Sequence, residues 1–180
     1  WANSAFMTTV IAAVFPVYFI EVAASGLGPS TAQFRFAAAT TIGLTLIAIL
    51  SPVLGALADT RGAKKVFLAA FVALGVVSTC AMAAIGPGEW RLAAVLFIVG
   101  NVAISGGFAF YDSLLPHIAR PDEIDRVSTA GYALGYLGGG LLLAVNLLWI
   151  LQPAWFGLAD AGAATRLSFV SVGVWWALFS

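Results

Sequence analysis

Between Gly55 and Lys65 the chain reads Gly55-Ala56-Leu57-Ala58-Asp59-Thr60-Arg61-Gly62-Ala63-Lys64-Lys65, an acid and three bases set between two long apolar runs. A carboxylate and cations this close can pair with one another, and Gly62 supplies the backbone freedom of a tight reversal. Asp112 ends a later apolar run. Pairing of Asp59 and Asp112 with one or more of Arg61, Lys64 and Lys65 would latch the ends of two runs together. A second set carries no charge: Asn3, Ser4, Asn101, Tyr132 and Tyr136 interrupt apolar runs. A polar side chain inside a bilayer is costly unless it is paired or faces a wet cavity. Asn101 is the leading candidate to line such a cavity, because its amide has the donors and the acceptor a zwitterionic ligand needs. An interhelical hydrogen bond would satisfy it equally well. Asn3 and Ser4, one turn inside the first run, are candidates for the cytoplasmic half of a path, and Tyr132 and Tyr136 are weighed between path and packing.

These groups can hold and release a polar solute; they do not assemble a reaction centre. An intramembrane protease needs a serine or paired aspartates with a partnered base. Ser105-Gly106-Gly107 lacks the glycine two places before the serine, and His117, the single histidine, falls in a loop. No spacing of His, Cys and acids suits a catalytic metal, and no phosphate-cradling loop is present. The chain therefore reads as a non-enzyme with no cofactor.

The elements that must position these residues follow from composition. Of 180 residues, 62% are hydrophobic and 9% charged, against about a quarter charged in a soluble domain. Mean hydropathy is +1.02. Such a chain cannot cover a water-facing surface, so its first partner is the lipid bilayer. Eight acids balance eight bases, which leaves no basic patch for nucleic acid. Cys80 is the single cysteine, rules out an internal disulfide and suits apolar packing.

About 20 apolar residues cross a bilayer as a helix. Runs of this kind extend over about Asn3 to Ile20, Phe34 to Leu57, Val66 to Ile85, Leu92 to Tyr111 and Val127 to Leu151, with a sixth beginning near Arg166 and truncated at Ser180. The predicted fold class is all-α: a polytopic membrane protein with a six-transmembrane-helix bundle. Pro16 predicts a kink in the first span, and Pro116 and Pro121 predict breaks in the connection from Asp112 to Arg126. Glu21 and Arg35 flank the first outer loop, in solvent or paired with each other. Both ends of the chain read as cut, so a longer protein is expected.

Orientation comes from the bases. Arg61, Lys64, Lys65, Arg120 and Arg126 follow the even-numbered spans, whereas Arg35, Arg91 and Arg166 lie on the other side. The excess places the Gly55–Lys65 turn and the N-terminus in the cytoplasm. Because lipid does not drive helices together, small residues must mediate their contacts. The densest set is Gly131, Gly135, Gly138, Gly139 and Gly140, whose four-residue spacings leave one helix face nearly bare. It suits close packing, and a sliding contact in a moving protein is compatible with it.

The pattern G-x-x-x-D-x-x-G-x-K-K at Gly55, Asp59, Gly62, Lys64 and Lys65 resembles the loop between the second and third spans of the major facilitator superfamily. Thr60 stands where that family usually has a base. Trp1-Ala2-Asn3-Ser4-Ala5-Phe6, Phe15-Pro16-Val17-Tyr18-Phe19 and Ser51 to Asp59 resemble the first two spans of its vacuole-effluxer-like branch. Asp125-Arg126-Val127-Ser128 leading into Gly131–Gly140, and Gly173 to Phe179, are similar to the same branch. The resemblance implies a twelve-span transporter made of two six-span bundles, with residues 1–180 as the N-terminal one and the C-terminal half missing. It implies a small-molecule substrate, with neutral amino acids exported by the fungal relative, and for a bacterial member the inner membrane. It also implies that the charge cluster latches the cytoplasmic ends. A non-transporting six-span scaffold or channel subunit remains the alternative.

Overall fold

In a computed structural model the chain forms six helices long and apolar enough to cross a membrane, joined by short connections. The structure describes the backbone of all residues except 62, 63 and 121, and the side chains of all except 57–63, 116–118 and 121. The helices are α1 (Ala2–Ala23), α2 (Pro29–Arg61), α3 (Lys64–Ala81), α4 (Trp90–Ile118), α5 (Ile124–Leu151) and α6 (Ala161–Phe179). A 3₁₀ turn, Met82–Ala84, extends α3, and another, Pro153–Phe156, follows α5.

The helices are longer than their apolar runs. α2 starts at Pro29, whose fixed φ and missing N–H suit a first helical position, and so Arg35 lies inside the helix. α4 runs past Tyr111 through Pro116 to Ile118, where a break was expected. Proline in a last turn removes one backbone bond and leaves little helix beyond it to disrupt. Asp112 is therefore a helical residue. α6 starts at Ala161, five places before the expected Arg166, because the Asp160 side chain accepts the Ala163 N–H at 2.7 Å and caps the helix.

α1 departs most from a regular helix. Ala2–Ala5 and Phe15–Tyr18 are α-helical, while Phe6–Val14 and Phe19–Ala23 form π-helix. Pro16, where a kink was expected, lies in the short α-helical turn between the two π-helical stretches. Proline cannot donate to the carbonyl four residues back, and its ring crowds that carbonyl; the preceding wider turns with i→i+5 bonds relieve both.

α4 packs against α2 and α3, α3 against α6, and α6 against α5 and α1, while α2–α3 and α4–α5 touch little although consecutive. α1 lies innermost: Phe6, Val10, Phe15 and Phe19 are fully buried. Rings seat on glycines at the crossings. Phe6 occupies the space a side chain on Gly100 would need, Phe71 does the same at Gly106, and Trp176 at Gly75. The Cys80 sulfur lies against Gly173, as a small packing residue would.

The first turn of α1 lies on the glycine face of α5. A methyl group on Gly139 would meet the Ser4 carbonyl oxygen at 2.6 Å, and one on Gly138 would meet the Trp1 ring at 2.6 Å. At Gly135 it would meet the Ser4 hydroxyl at 2.7 Å. Gly131 has only the Tyr111 hydroxyl nearby, at 3.7 Å, and Gly140 nothing within 4 Å. Thr8 reinforces the contact, its hydroxyl 3.0 Å from the Gly139 carbonyl. Backbone cannot yield as a flexible side chain does, so Gly139→Ala is expected to cost about 1–3 kcal/mol. Gly140→Ala should be neutral or mildly stabilising. Thermal midpoints of the two variants in detergent check this; equal midpoints would refute the close approach.

Candidate functional site

A cavity of about 800 Å³ opens between the helix ends on the side of the α2–α3 connection. Its walls are the first turn of α1, the N-terminal halves of α3 and α5, and the C-terminal ends of α4 and α6. Most of the lining is aliphatic or aromatic, as in small-molecule sites, with a few polar groups among it. Those groups include Asn3, Ser4, Lys65, Tyr111, Asp112, Ser128 and Tyr132.

Each is placed by its helix. Asn3 and Ser4 follow from the docking of α1 on Gly135 and Gly139. The extension of α4 beyond Tyr111 carries Asp112 to the rim, across from α5. There the Tyr132 hydroxyl donates to Asp112 Oδ1 at 3.5 Å, and the Tyr132 ring stacks on Phe108 with centroids 6.5 Å apart. Lys65, at the start of α3, brings a cation to the same cavity. Its neighbour Lys64 reaches across to donate to the Ser113 carbonyl at 3.4 Å, tying α3 to α4. The cavity thus presents an acid, a base, hydroxyls and an amide on an apolar surface. That set suits a small solute carrying both polar and apolar parts. Among the described residues no three of His, Cys, Asp and Glu converge to hold a metal.

The other candidates stand elsewhere. Asn101 is buried, donates its amide to the Phe97 carbonyl of its own helix at 2.9 Å, and faces Gly43 of α2. It does not line the cavity. Tyr136 is 70% exposed, beside the buried glycine face and not on it. Of the charged turn, Lys64, Lys65 and Asp112 come to the same end of the bundle. The side chains of Asp59 and Arg61, and Gly62, lie outside the described residues. A side chain on Gly55 would meet nothing within 4 Å.

Sequence reading passed over Ser128 and Tyr111, both in the cavity wall. Ser128 lies in the segment Asp125 to Ser128, and its phase relative to Tyr132, one turn on, was the available signal. Beyond the cavity, toward the other end of the bundle, Asn146 is fully buried among three helices. Its amide lies 3.5 Å from the Thr9 hydroxyl as donor, and its carbonyl accepts from Ser171 at 2.9 Å, joining α1, α5 and α6. The Tyr18 hydroxyl closes that end, donating to the Ile85 carbonyl at 2.6 Å.

One end of the bundle is therefore sealed by buried bonds and the other is open. In a background lacking other reactive cysteines, Ser128→Cys should react quickly with a membrane-impermeant maleimide applied on the open side. Asn101→Cys should react at least about tenfold more slowly, as burial in a packed interior requires. Similar rates at the two positions would mean that the cavity is closed in the membrane.

The comparisons with known proteins agree with this architecture. The uncharacterized MFS-type transporter YxiO of Bacillus subtilis (strain 168) is 35% identical over 183 residues, a match that takes in all of this chain and 42% of that protein. The chain thus spans less than half the length of this relative, which is named as a transporter and not an enzyme. No solved structure matches. With apolar helices of membrane-spanning length and this relative, the chain is part of an integral membrane protein. The family model "Vacuole effluxer Atg22 like" matches residues 31–180, from the start of α2 to the end of α6, and the chain accordingly belongs to the vacuole effluxer Atg22-like family.

Proposed function

We propose that the chain is the N-terminal six-helix half of a secondary active transporter that moves a small solute by alternating access. The observation that carries this reading is the one-sided cavity. In a chain of the Atg22-like family, an apolar bundle is packed and bonded beyond the cavity, while Asn3, Ser4, Lys65, Asp112 and Tyr132 line an opening at one end. A second bundle, supplied by the rest of the longer protein, would rock against this one around a site near the midplane. The share of the relative covered by the match supports this. Asn101 and Tyr136 remain candidates for contacts that form in another state of the cycle, or with the second bundle. The excess of bases at Lys64, Lys65, Arg120 and Arg126 supports a cytoplasmic N-terminus. For a bacterial protein the membrane would be the inner one. Neutral amino acids are the proposed substrates and export the proposed direction. A zwitterion suits a cavity that presents an acid and a base on apolar walls.

Asp59, Arg61, Gly62, Lys64, Lys65 and Asp112 are proposed to form the latch that holds the cytoplasmic ends in one state. Gly131, Gly135, Gly138, Gly139 and Gly140 would let α5 slide where side chains would catch. Asp112→Asn should shift the balance of states by roughly fivefold or more, the size of an ordinary coupling between two conformations. Tyr132→Phe should shift it less, since it removes only one long hydrogen bond. Cysteine accessibility on the two membrane faces of the full transporter reads the balance. Unchanged accessibility and unchanged transport in Asp112→Asn would exclude the latch. Substrate is tested by counterflow of labelled neutral amino acids into proteoliposomes. Uptake of label is the expected result, and its absence across the panel would reject amino acids as the cargo.

A further inference from the structure

At the end of the bundle opposite the cavity, Trp90 opens α4 and carries two guanidinium groups. Arg35 of α2 lies with its Cζ 4.8 Å from the indole centroid, and Arg91 lies at 5.4 Å. Both arginines are exposed, and neither forms an ion pair among the described residues. The acids nearby form no ion pair with them among the described residues. Glu89 turns back on its own loop to accept the Gly86 N–H at 2.6 Å, and Glu21, exposed near the end of α1, makes no ion pair with Arg35. The pairing of Glu21 with Arg35 weighed from the sequence is thus replaced by a stack on Trp90.

Like charges gathered on one ring repel, and the ring's attraction for each cation offsets this only in part. The arrangement is completed by an anion. Trp90 is half-buried where α4 begins, at the depth at which indoles sit among lipid headgroups. The anion present at that depth throughout a bilayer is the lipid phosphate, and guanidinium groups match its oxygens in geometry as well as charge. α4 also starts without a side-chain cap, and a recess of about 380 Å³ is lined by Gly88, Glu89, Trp90, Arg91 and Leu92, with Glu89 bonded back to Gly86. We propose that Arg35, Trp90 and Arg91 bind the phosphate of an anionic phospholipid. A choline or ethanolamine headgroup would bring its own cation against the two arginines, so a headgroup without an ammonium is preferred.

The test uses the full-length transporter in nanodiscs containing equal phosphatidylglycerol and phosphatidylcholine, with the lipids retained on the protein counted by native mass spectrometry. Wild type should retain phosphatidylglycerol in preference. Arg35→Gln and Arg91→Gln should each lower that retention about fivefold, and lysine at both positions should restore part of it. Millimolar inorganic phosphate should not displace the lipid. Equal retention of the two lipids by wild type overturns the proposal, and this comparison needs no variant to fold. Unchanged retention in the double glutamine variant overturns it too. Displacement by inorganic phosphate would make a free anion the occupant and reject the lipid.

Discussion

The structure depends on the seating of the first turn of α1 on the bare face of α5. In lipid no water is released when helices meet, so they associate through close packing and through hydrogen bonds that packing allows. Gly135, Gly138 and Gly139 let the Ser4 backbone and the Trp1 ring approach to distances that any side chain would forbid. That approach brings the Thr8 hydroxyl within reach of the Gly139 carbonyl. It also sets Trp1 for α6, where the Trp175 Nε1 donates to the Trp1 carbonyl at 3.2 Å and the two rings stack at 5.8 Å. The same turn forms one wall of the cavity. A single close contact thus joins α1, α5 and α6 and positions Asn3 and Ser4.

Polar groups in the interior and at the cavity rim differ in how they are bonded. Thr9, Asn146 and Ser171 satisfy one another away from the lipid, and Tyr18 bonds the Ile85 carbonyl. A buried polar group with partners holds helices in register. At the cavity end the Tyr132–Asp112 contact is 3.5 Å and the Lys64–Ser113 contact 3.4 Å, while Trp175 holds the Trp1 carbonyl more closely at 3.2 Å. The two long contacts at the rim exchange readily with water or a ligand.

The spans were legible because an apolar run of membrane length has no other use in so uncharged a chain. Their ends were not, since hydropathy marks where lipid stops and a helix stops where its backbone bonds do. Asp112, Pro116 and Arg35 all lie in helix beyond the lipid boundary for this reason. The glycine face was legible as a face, while its partner was not. Four-residue spacing shows which residues share a side, and only the fold shows that α1 lies against Gly139 while Gly140 meets nothing. Arg35 illustrates the same limit. Charge suggested Glu21 as its partner, but Trp90, distant in sequence, offers a ring that holds the guanidinium.

The π-helical stretch of α1 connects these features. Phe6–Val14 carries Thr8, whose hydroxyl lies 3.0 Å from the Gly139 carbonyl, and Thr9, whose hydroxyl meets the Asn146 amide. These neighbouring residues lie at almost the same level of α1 and differ in direction, so one chain segment reaches two parts of α5. A regular helix of 3.6 residues per turn would place them about 100° apart; the i→i+5 bonds of π-helix alter that phase. The aromatic residues around the stretch, Phe6 and Phe15 on α1 and Phe97 on α4, are buried and fill the space such turns create. α1 is therefore both the centre of the core and the element that reaches the glycine face of α5 and the Asn146 network. Any change of its helical phase would be felt at both.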